Sequence, residues 1–434
     1  MSSETLSRRG FIVALMLLSH TLQALPAEQP EKVSFDQFIK KSAVPREVMD
    51  QWLRGDNLYQ FDPELGYVLS NYLPAWGIDH SATISTVQPN GARTSFMYAG
   101  RKSRINTYGD SFTECQQVSD GETWQEYLAA HLGEPIRNFG VGGYGVYQAY
   151  RRMIREEKTD HGAEYLILYD CCDDSTRSLL RYRRATFYQR WDEHGSRMFH
   201  GNFWAHVEMD LETGRFVEKE NPLPTKKSLY HMTEPHWMVE HLKDDLALQL
   251  ALYSFGTIRD LDREKISKLA ARLDFPFDWS QEESALRFQA GALLNRYSQR
   301  ATLFILDKAS AFARENGKKL LVVLNMTADI TEMNQRGTRD DQEVVDYLGK
   351  EKFDYFDMNE VHLRDFRKSN LSYREYIKPY LVDGGHYSPQ GNHFFAYSIK
   401  DKVVEWLDPK PIPYQQPDAQ KISFEGYLHG GGYH

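Results

Sequence analysis

The sequence predicts an α/β protein built on a parallel sheet with helices on both faces. Two observations carry this. Short apolar runs alternate with amphipathic helical segments from Arg104 to Trp406, and a strand followed by a helix, repeated, gives a parallel sheet buried on both sides. The first two runs end in glycine-rich turns, Gly109-Asp110-Ser111 and Gly140-Val141-Gly142-Gly143, at the strand ends where such folds place their chemistry. The composition, 41% hydrophobic and 26% charged, is that of a globular protein. A chain of 434 residues is long for one core, so a large insertion or a second domain is expected.

The elements follow in order. Residues 28–102 read as an N-terminal extension. FDQFIKKSAVPREVMDQWL is helical with a break at Pro45, and LYQFDPELGYVLS, ATISTV and RTSFMYA read as short strands and turns. The main domain, 103–410, opens with a strand from Arg104 to Tyr108. A helix with Trp124, Tyr127, Leu128 and Leu132 on one stripe follows, then a strand from Ile136 to Phe139. A second helix carries Tyr147, Tyr150, Arg151 and Ile154, and Tyr165 to Tyr169 is the third strand. Residues 298–314 are helical, Leu320 to Leu324 and Phe353 to Phe356 are strands, and a last helix starts after Ser388-Pro389 and closes at Trp406. An insertion at about 175–290 interrupts the alternation, with one or two helices over 232–256. Residues 411–434 form a tail whose His429 and His434 make only a weak metal motif.

The first residues read as an export signal. Arg8-Arg9 precede an apolar stretch from Phe11 to Leu18, followed by small and turn-forming residues to Ala27. That is the layout of a twin-arginine signal peptide, 1–27, with a periplasmic or secreted destination. Eight apolar residues are too few for a bilayer core of about 30 Å, so no stable span is expected after cleavage. The net charge of −9 gives no support for nucleic-acid binding. Three cysteines, Cys115, Cys171 and Cys172, leave at least one thiol unpaired within the chain. One disulfide between the neighbouring strand ends and buried free thiols both stay open. There is no CxxC knuckle and no HExxH, so neither metal nor organic cofactor is implied.

Three separated stretches carry chemistry. Ser111 stands at a strand-to-helix turn, where Gly109 permits the bend, Asp110 braces it and the helix start turns N–H groups toward a developing anion. Asp383-Gly384-Gly385-His386 supplies a general base, His386, with Asp383 three positions earlier to hold its tautomer. Asn138-Phe139-Gly140-Val141-Gly142-Gly143-Tyr144-Gly145 supplies flexible backbone at a strand end, and Gly143 N–H is a candidate oxyanion donor beside Ser111 N–H.

In these blocks the chain resembles the SGNH (GDSL-like) hydrolase superfamily, over roughly residues 60–175 and 300–410. The resemblance implies a three-layer α/β/α, flavodoxin-like domain with Ser111, Asp383 and His386 catalytic and Gly143 in the oxyanion role. The third block departs from the family pattern. Where the family has Gly-x-Asn-Asp, this chain has Tyr169-Asp170-Cys171-Cys172-Asp173-Asp174, and Asp173 replaces an oxyanion-donating Asn. An ionised Asp has no hydrogen to donate, and losing such a donor costs about 3 kcal/mol. Asp173 protonated by burial, Asp173 as an orienting group, and a weakened or repurposed site all stay open.

The resemblance to exported bacterial members implies an acylated glycan as substrate, most simply O-acetyl esters of a polysaccharide. O-acyl transfer onto a polysaccharide and non-catalytic glycan binding are the alternatives. Arg177, Arg181 and Arg184, in an arginine- and aromatic-rich stretch, are spaced for one side of a helix that would meet an acidic glycan. The sequence does not specify an oligomeric state.

Overall fold

The computed structural model describes residues 32–54, 59–183, 202–383 and 385–415. They divide into two compact units, one drawn from 32–68 and 175–304, the other from 69–174 and 305–415. The inserted segment therefore groups with the first part of the chain. Residues 69–102 group with the sheet that follows them.

The strands, in chain order, are β1 (Tyr59–Asp62), β2 (Gly66–Leu69), β3 (Ile105–Tyr108), β4 (Ile136–Asn138), β5 (Tyr165–Cys171), β6 (His206–Asp210), β7 (Arg215–Lys219), β8 (Lys319–Asn325) and β9 (Asp354–Asp357). The second unit holds one five-stranded sheet of order β4-β3-β5-β8-β9. Every pairing in it is parallel, with Ile105 opposite both Ile136 and Tyr165, Ile167 opposite Leu321 and Val322 opposite Tyr355. Counted within the sheet this is the order 2-1-3-4-5, a doubly wound arrangement whose switch point lies between β3 and β5.

Alternation along the strands builds two faces. Ile105, Tyr165, Ile167, Tyr169, Leu321 and Val323 share one core with Trp124 and Leu128 of helix Trp124–Leu132 and with Phe394, Phe395, Ile399 and Val403 of helix Pro389–Trp406. Trp124 meets Phe395 edge-on with centroids 5.0 Å apart. The intervening residues Leu166, Leu168, Val322 and Leu324 are also buried, and helix Val146–Glu156 packs on β3 and β5. The result is a three-layer α/β fold with a central parallel sheet.

The expected helix starts rest on visible caps. Thr123 accepts from Glu126 N–H, and Ser388 accepts from Gly391 N–H with Pro389 at the first helical position. Three expectations change. The helix placed at 298–314 spans Glu283–Glu315, because Glu283 to Ser298 is rich in helix formers such as Ala, Leu, Arg and Gln, which outweigh the single Gly291. ATISTV and RTSFMYA form no strands. Only isolated bridges, Tyr72–Ser85, Val87–Arg93 and Arg93–Asn138, occur there, and side chains complete the bonding, Asp120 accepting from Thr86 N–H. On helix Val146–Glu156 Tyr147 and Tyr150 are buried together with Val146, Gln148, Ala149, Arg152 and Met153, while Arg151 and Ile154 are only half-buried.

The first unit contains helices Phe35–Lys41 and Arg46–Arg54, split at Pro45 as the sequence predicts, the β1–β2 pair and the antiparallel hairpin β6–β7. The segment 232–256 forms two helices, Pro235–Leu242 and Leu246–Ser254. Among the described residues, no helix is long and apolar enough to cross a membrane. Residues 1–31, which hold the expected signal, and 416–434, with His429 and His434, lie outside the described residues.

Candidate active site

β3 ends at Tyr108, and the chain turns through Gly109 and Asp110 into the short helix Ser111–Glu114. Asp110 caps it, accepting from Phe112 N–H at 2.9 Å. Gly109 is required by close approach: a Cβ there would lie 2.1 Å from Thr113 Oγ1 and 2.8 Å from Tyr169 Cβ. The turn is thus pressed onto the neighbouring strand, and Ser111 is 6% exposed.

His386 arrives from the opposite end of the chain. It stands between the Val382–Gly385 turn and helix Pro389–Trp406, with Val382 N–H bonded to His386 O at 2.9 Å. Its Nε2 lies 2.7 Å from Ser111 Oγ, and its ring packs on Phe112 with centroids 5.2 Å apart. Residues 275 positions apart therefore meet in a hydrogen bond at the carboxyl end of β3.

The partner at the far ring nitrogen is not the one expected. Gln117 Oε1 lies 3.0 Å from His386 Nδ1 and accepts His386 N–H at 2.7 Å. Gln117 Nε2 donates to Trp76 O at 3.1 Å. Asp383 is exposed, with φ 40°, and among the described residues no hydrogen bond or ion pair joins it to His386. The left-handed backbone at Asp383 and the tight Val382–Gly385 turn carry its side chain to solvent. Gln117, where Asp383 was expected, is the residue that meets His386 Nδ1. Gln117 had no motif to mark it.

The glycine-rich loop after β4 is fastened to the Ser111 turn. Phe139 N–H donates to Thr107 O at 2.9 Å, and Val141 N–H to Gly109 O at 3.1 Å. Glu114, fully buried, accepts from Gly142 N–H at 2.5 Å and from Tyr72 O–H at 2.8 Å. Burial pushes its carboxyl up, against the pull of Arg93, Tyr72 and Gly142. Gly143, buried, has φ 83° in the same loop. Sequence reading also missed Glu114, whose place three residues after Ser111 is its only signal.

Asp173 is half-buried in the turn after β5, preceded by Cys172 at φ 55° and followed by Asp174, whose carboxylate accepts from Cys171 N–H at 3.2 Å. It too stands at the carboxyl end of a central strand. The three cysteines are free. Cys115 is buried, its thiol pushed up to about 12 by burial, and Cys171 and Cys172 Sγ atoms are 2.9 Å apart.

The arginine stripe does not form. The helix at Asp174 ends at Arg177, Arg177 is buried, and Arg184 lies outside the described residues. Arg181 is built into the first unit. It donates to Glu208 Oε2 at 2.8 Å and to His241 O at 3.2 Å, and stands 3.6 Å from Asp245. Burial acts to raise Glu208, yet His206, Lys219 and Arg181 hold it at about 2. Half-buried Glu208 and buried Asp245 thus engage Arg181 in ion pairs within the first unit. A surface concavity lined by Lys32, Gln37, Lys40, Lys41 and Arg259 contains none of the residues above. Among the described residues, no cluster of His, Cys, Asp and Glu is placed to hold a metal ion.

No family model matches the chain, and no curated protein matches it.

Proposed function

We propose that this protein is an SGNH-type serine esterase that hydrolyses carboxylic esters, with O-acetyl groups on a polysaccharide or oligosaccharide as its substrates. The observation that carries the reading is the 2.7 Å approach of Ser111 Oγ to His386 Nε2, at the carboxyl edge of a parallel sheet where doubly wound folds hold their ligands. Ser111 Oγ attacks the acyl carbon while its proton passes to His386 Nε2. The tetrahedral intermediate expels the sugar oxygen, which takes that proton. Water then attacks the acyl-Ser111 ester, giving a proton to His386; the adduct expels Ser111 Oγ, which takes that proton back, and the acid leaves as acetate. Ser111 N–H and Gly143 N–H are assigned to the oxyanion, with Asp110 bracing the turn and Asp173 bordering the site. The Arg8-Arg9 signal assigns the protein to the periplasm or beyond.

The test is acetate release from a panel of acetylated polysaccharides by the mature protein and its Ser111→Ala variant. Release from at least one glycan, reduced at least about 10³-fold in the variant, is expected. Equal release by both proteins, or no release of any acyl group by folded wild-type protein, overturns the reading.

A further inference from the structure

We propose that Gln117 is the positioning residue of the Ser111–His386 pair, an uncharged amide in the role that Asp383 was expected to fill. The inference rests on the esterase reading for the identity of the reacting pair. It adds which group sets the proton on the imidazole.

The hydrogen bonds determine the tautomer. His386 backbone N–H can only donate, so the Gln117 atom 2.7 Å from it is the oxygen. The Gln117 nitrogen then faces Trp76 O, an acceptor, at 3.1 Å, so both ends of the amide agree on one orientation. That same oxygen is 3.0 Å from His386 Nδ1. Between an oxygen that can only accept and a ring nitrogen, the proton sits on Nδ1. Nε2 of the neutral ring is then left with its lone pair directed at Ser111 Oγ, 2.7 Å away, which is the arrangement a general base requires.

Two further features converge on this amide. Cys115 at φ 61° and Gln117 at φ 75° are both in the left-handed region, which costs a non-glycine residue about 1–2 kcal/mol. Arg93 holds the turn: its guanidinium donates to the carbonyls of Glu114, Cys115 and Val118 and pairs with Asp120 at 2.9 Å, all buried. Gly385 faces it from the other side. A Cβ at 385 would lie 2.2 Å from Gln117 Oε1, so the bare glycine before His386 is what admits the amide oxygen.

Besides Asp120, which pairs with Arg93, and Glu122, which accepts from Ser119 N–H, three carboxyl groups lie on these turns. Asp110 Oδ2 is 3.4 Å from Ser111 Oγ, Glu114 is engaged by Tyr72 and Gly142, and Asp383 is exposed. At Nδ1 the partner is Gln117 Oε1. An amide fixes the ring as a carboxylate does, yet brings no negative charge to the imidazolium formed in the reaction. Replacing it by a carboxylate favours the protonated ring and moves the acidic limb of the rate profile to higher pH.

The experiment measures the rate at which a fluorophosphonate probe labels the full chain between pH 4 and 9, for wild type and for Ser111→Ala, Gln117→Ala, Gln117→Glu, Gly385→Ala and Asp383→Asn. The probe needs no knowledge of the glycan. Loss of labelling in Ser111→Ala tests the esterase reading itself. Labelling of that variant at the wild-type rate, or no labelling of the wild type, sinks that reading and the inference with it. Given Ser111-dependent labelling, Gln117→Ala and Gly385→Ala are expected to slow it roughly 10²-fold at unchanged circular dichroism, a fraction of what a wrong tautomer costs. Gln117→Glu is expected to retain labelling with its acidic limb about one pH unit higher, and Asp383→Asn to match wild type. An unshifted limb in Gln117→Glu, or a large loss in Asp383→Asn with Gln117→Ala unaffected, overturns the assignment of Gln117 and leaves the esterase reading standing.

Discussion

Glu114 shows how one buried side chain joins two parts of the site. It stands on the Ser111 helix, yet its carboxylate takes Gly142 N–H at 2.5 Å and Tyr72 O–H at 2.8 Å. The glycine-rich loop is thereby tied to the Ser111 turn by a buried hydrogen bond, worth about 0.5–1.5 kcal/mol. Glu114→Ala removes both acceptors and leaves Gly142 N–H and Tyr72 O–H to find others in a buried place. That variant is expected to lose about 2–3 kcal/mol of stability in urea titration and to turn over esters at least about tenfold more slowly, because the loop assigned to the oxyanion loses its anchor. Wild-type turnover by folded Glu114→Ala would show that the loop holds its geometry without the carboxylate. Its place three residues after Ser111 is the one mark of this role in the sequence, and a weak one, since a Glu at that point in a helix ordinarily faces solvent.

The turn between Ser111 and Trp124 is the element on which the site depends. It contains left-handed residues at Cys115 and Gln117, and its carbonyls converge on Arg93 from the segment before β3. Arg93 is 1% exposed and its partner Asp120 2%. A buried ion pair adds little net stability over an apolar pair, but breaking one by removing a single partner costs about 3–5 kcal/mol. Arg93→Ala is therefore expected to lower stability by about 3–5 kcal/mol in denaturant melts, with ester turnover falling further than the unfolded fraction explains, since the turn carries Gln117. A loss under 1 kcal/mol would mean that the turn is held by its own backbone bonds. The insertion uses arginine in the same way. Arg181 spans half-buried Glu208 and buried Asp245, so an arginine that reads as part of a basic helix face is held in ion pairs.

At the scale of the whole molecule, a buried polar chain crosses the sheet unit behind His386. His362 Nδ1 meets Tyr376 O–H at 3.0 Å and Nε2 meets Tyr387 O–H at 2.9 Å. Tyr387 in turn donates to Asn325 Oδ1 at 2.9 Å. Tyr387 therefore accepts from Nε2–H, and Nδ1 accepts from Tyr376. Burial pushes His362 down to about 3 from an ordinary 6.5, so the native ring stays neutral where the unfolded chain takes up a proton. The stability tied to this ring is fully present above about pH 6.5 and is lost as pH falls from there toward 3, at up to about 1.4 kcal/mol per pH unit. Urea midpoints measured from pH 7 to 4 are expected to fall less steeply in His362→Gln than in wild type. Parallel slopes would show that His362 is protonated in the native state.

The sequence by itself determines the parallel α/β sheet and where the glycine-rich turns fall in it. Strand and helix periods, the caps Thr123 and Ser388 and the apolar stripe at Trp124, Leu128 and Leu132 are local signals, readable within a few residues. It also singles out Ser111 and His386, because a strand-to-helix turn and a glycine-rich loop before a capped helix are local too. The partner of the imidazole is not local. Asp383 is close in sequence, but its backbone turns it outward. Gln117 reaches the ring through a left-handed turn held by Arg93 and through the space left at Gly385. Which acceptor meets Nδ1 depends on how residues from three distant stretches pack, and only the tertiary structure decides that.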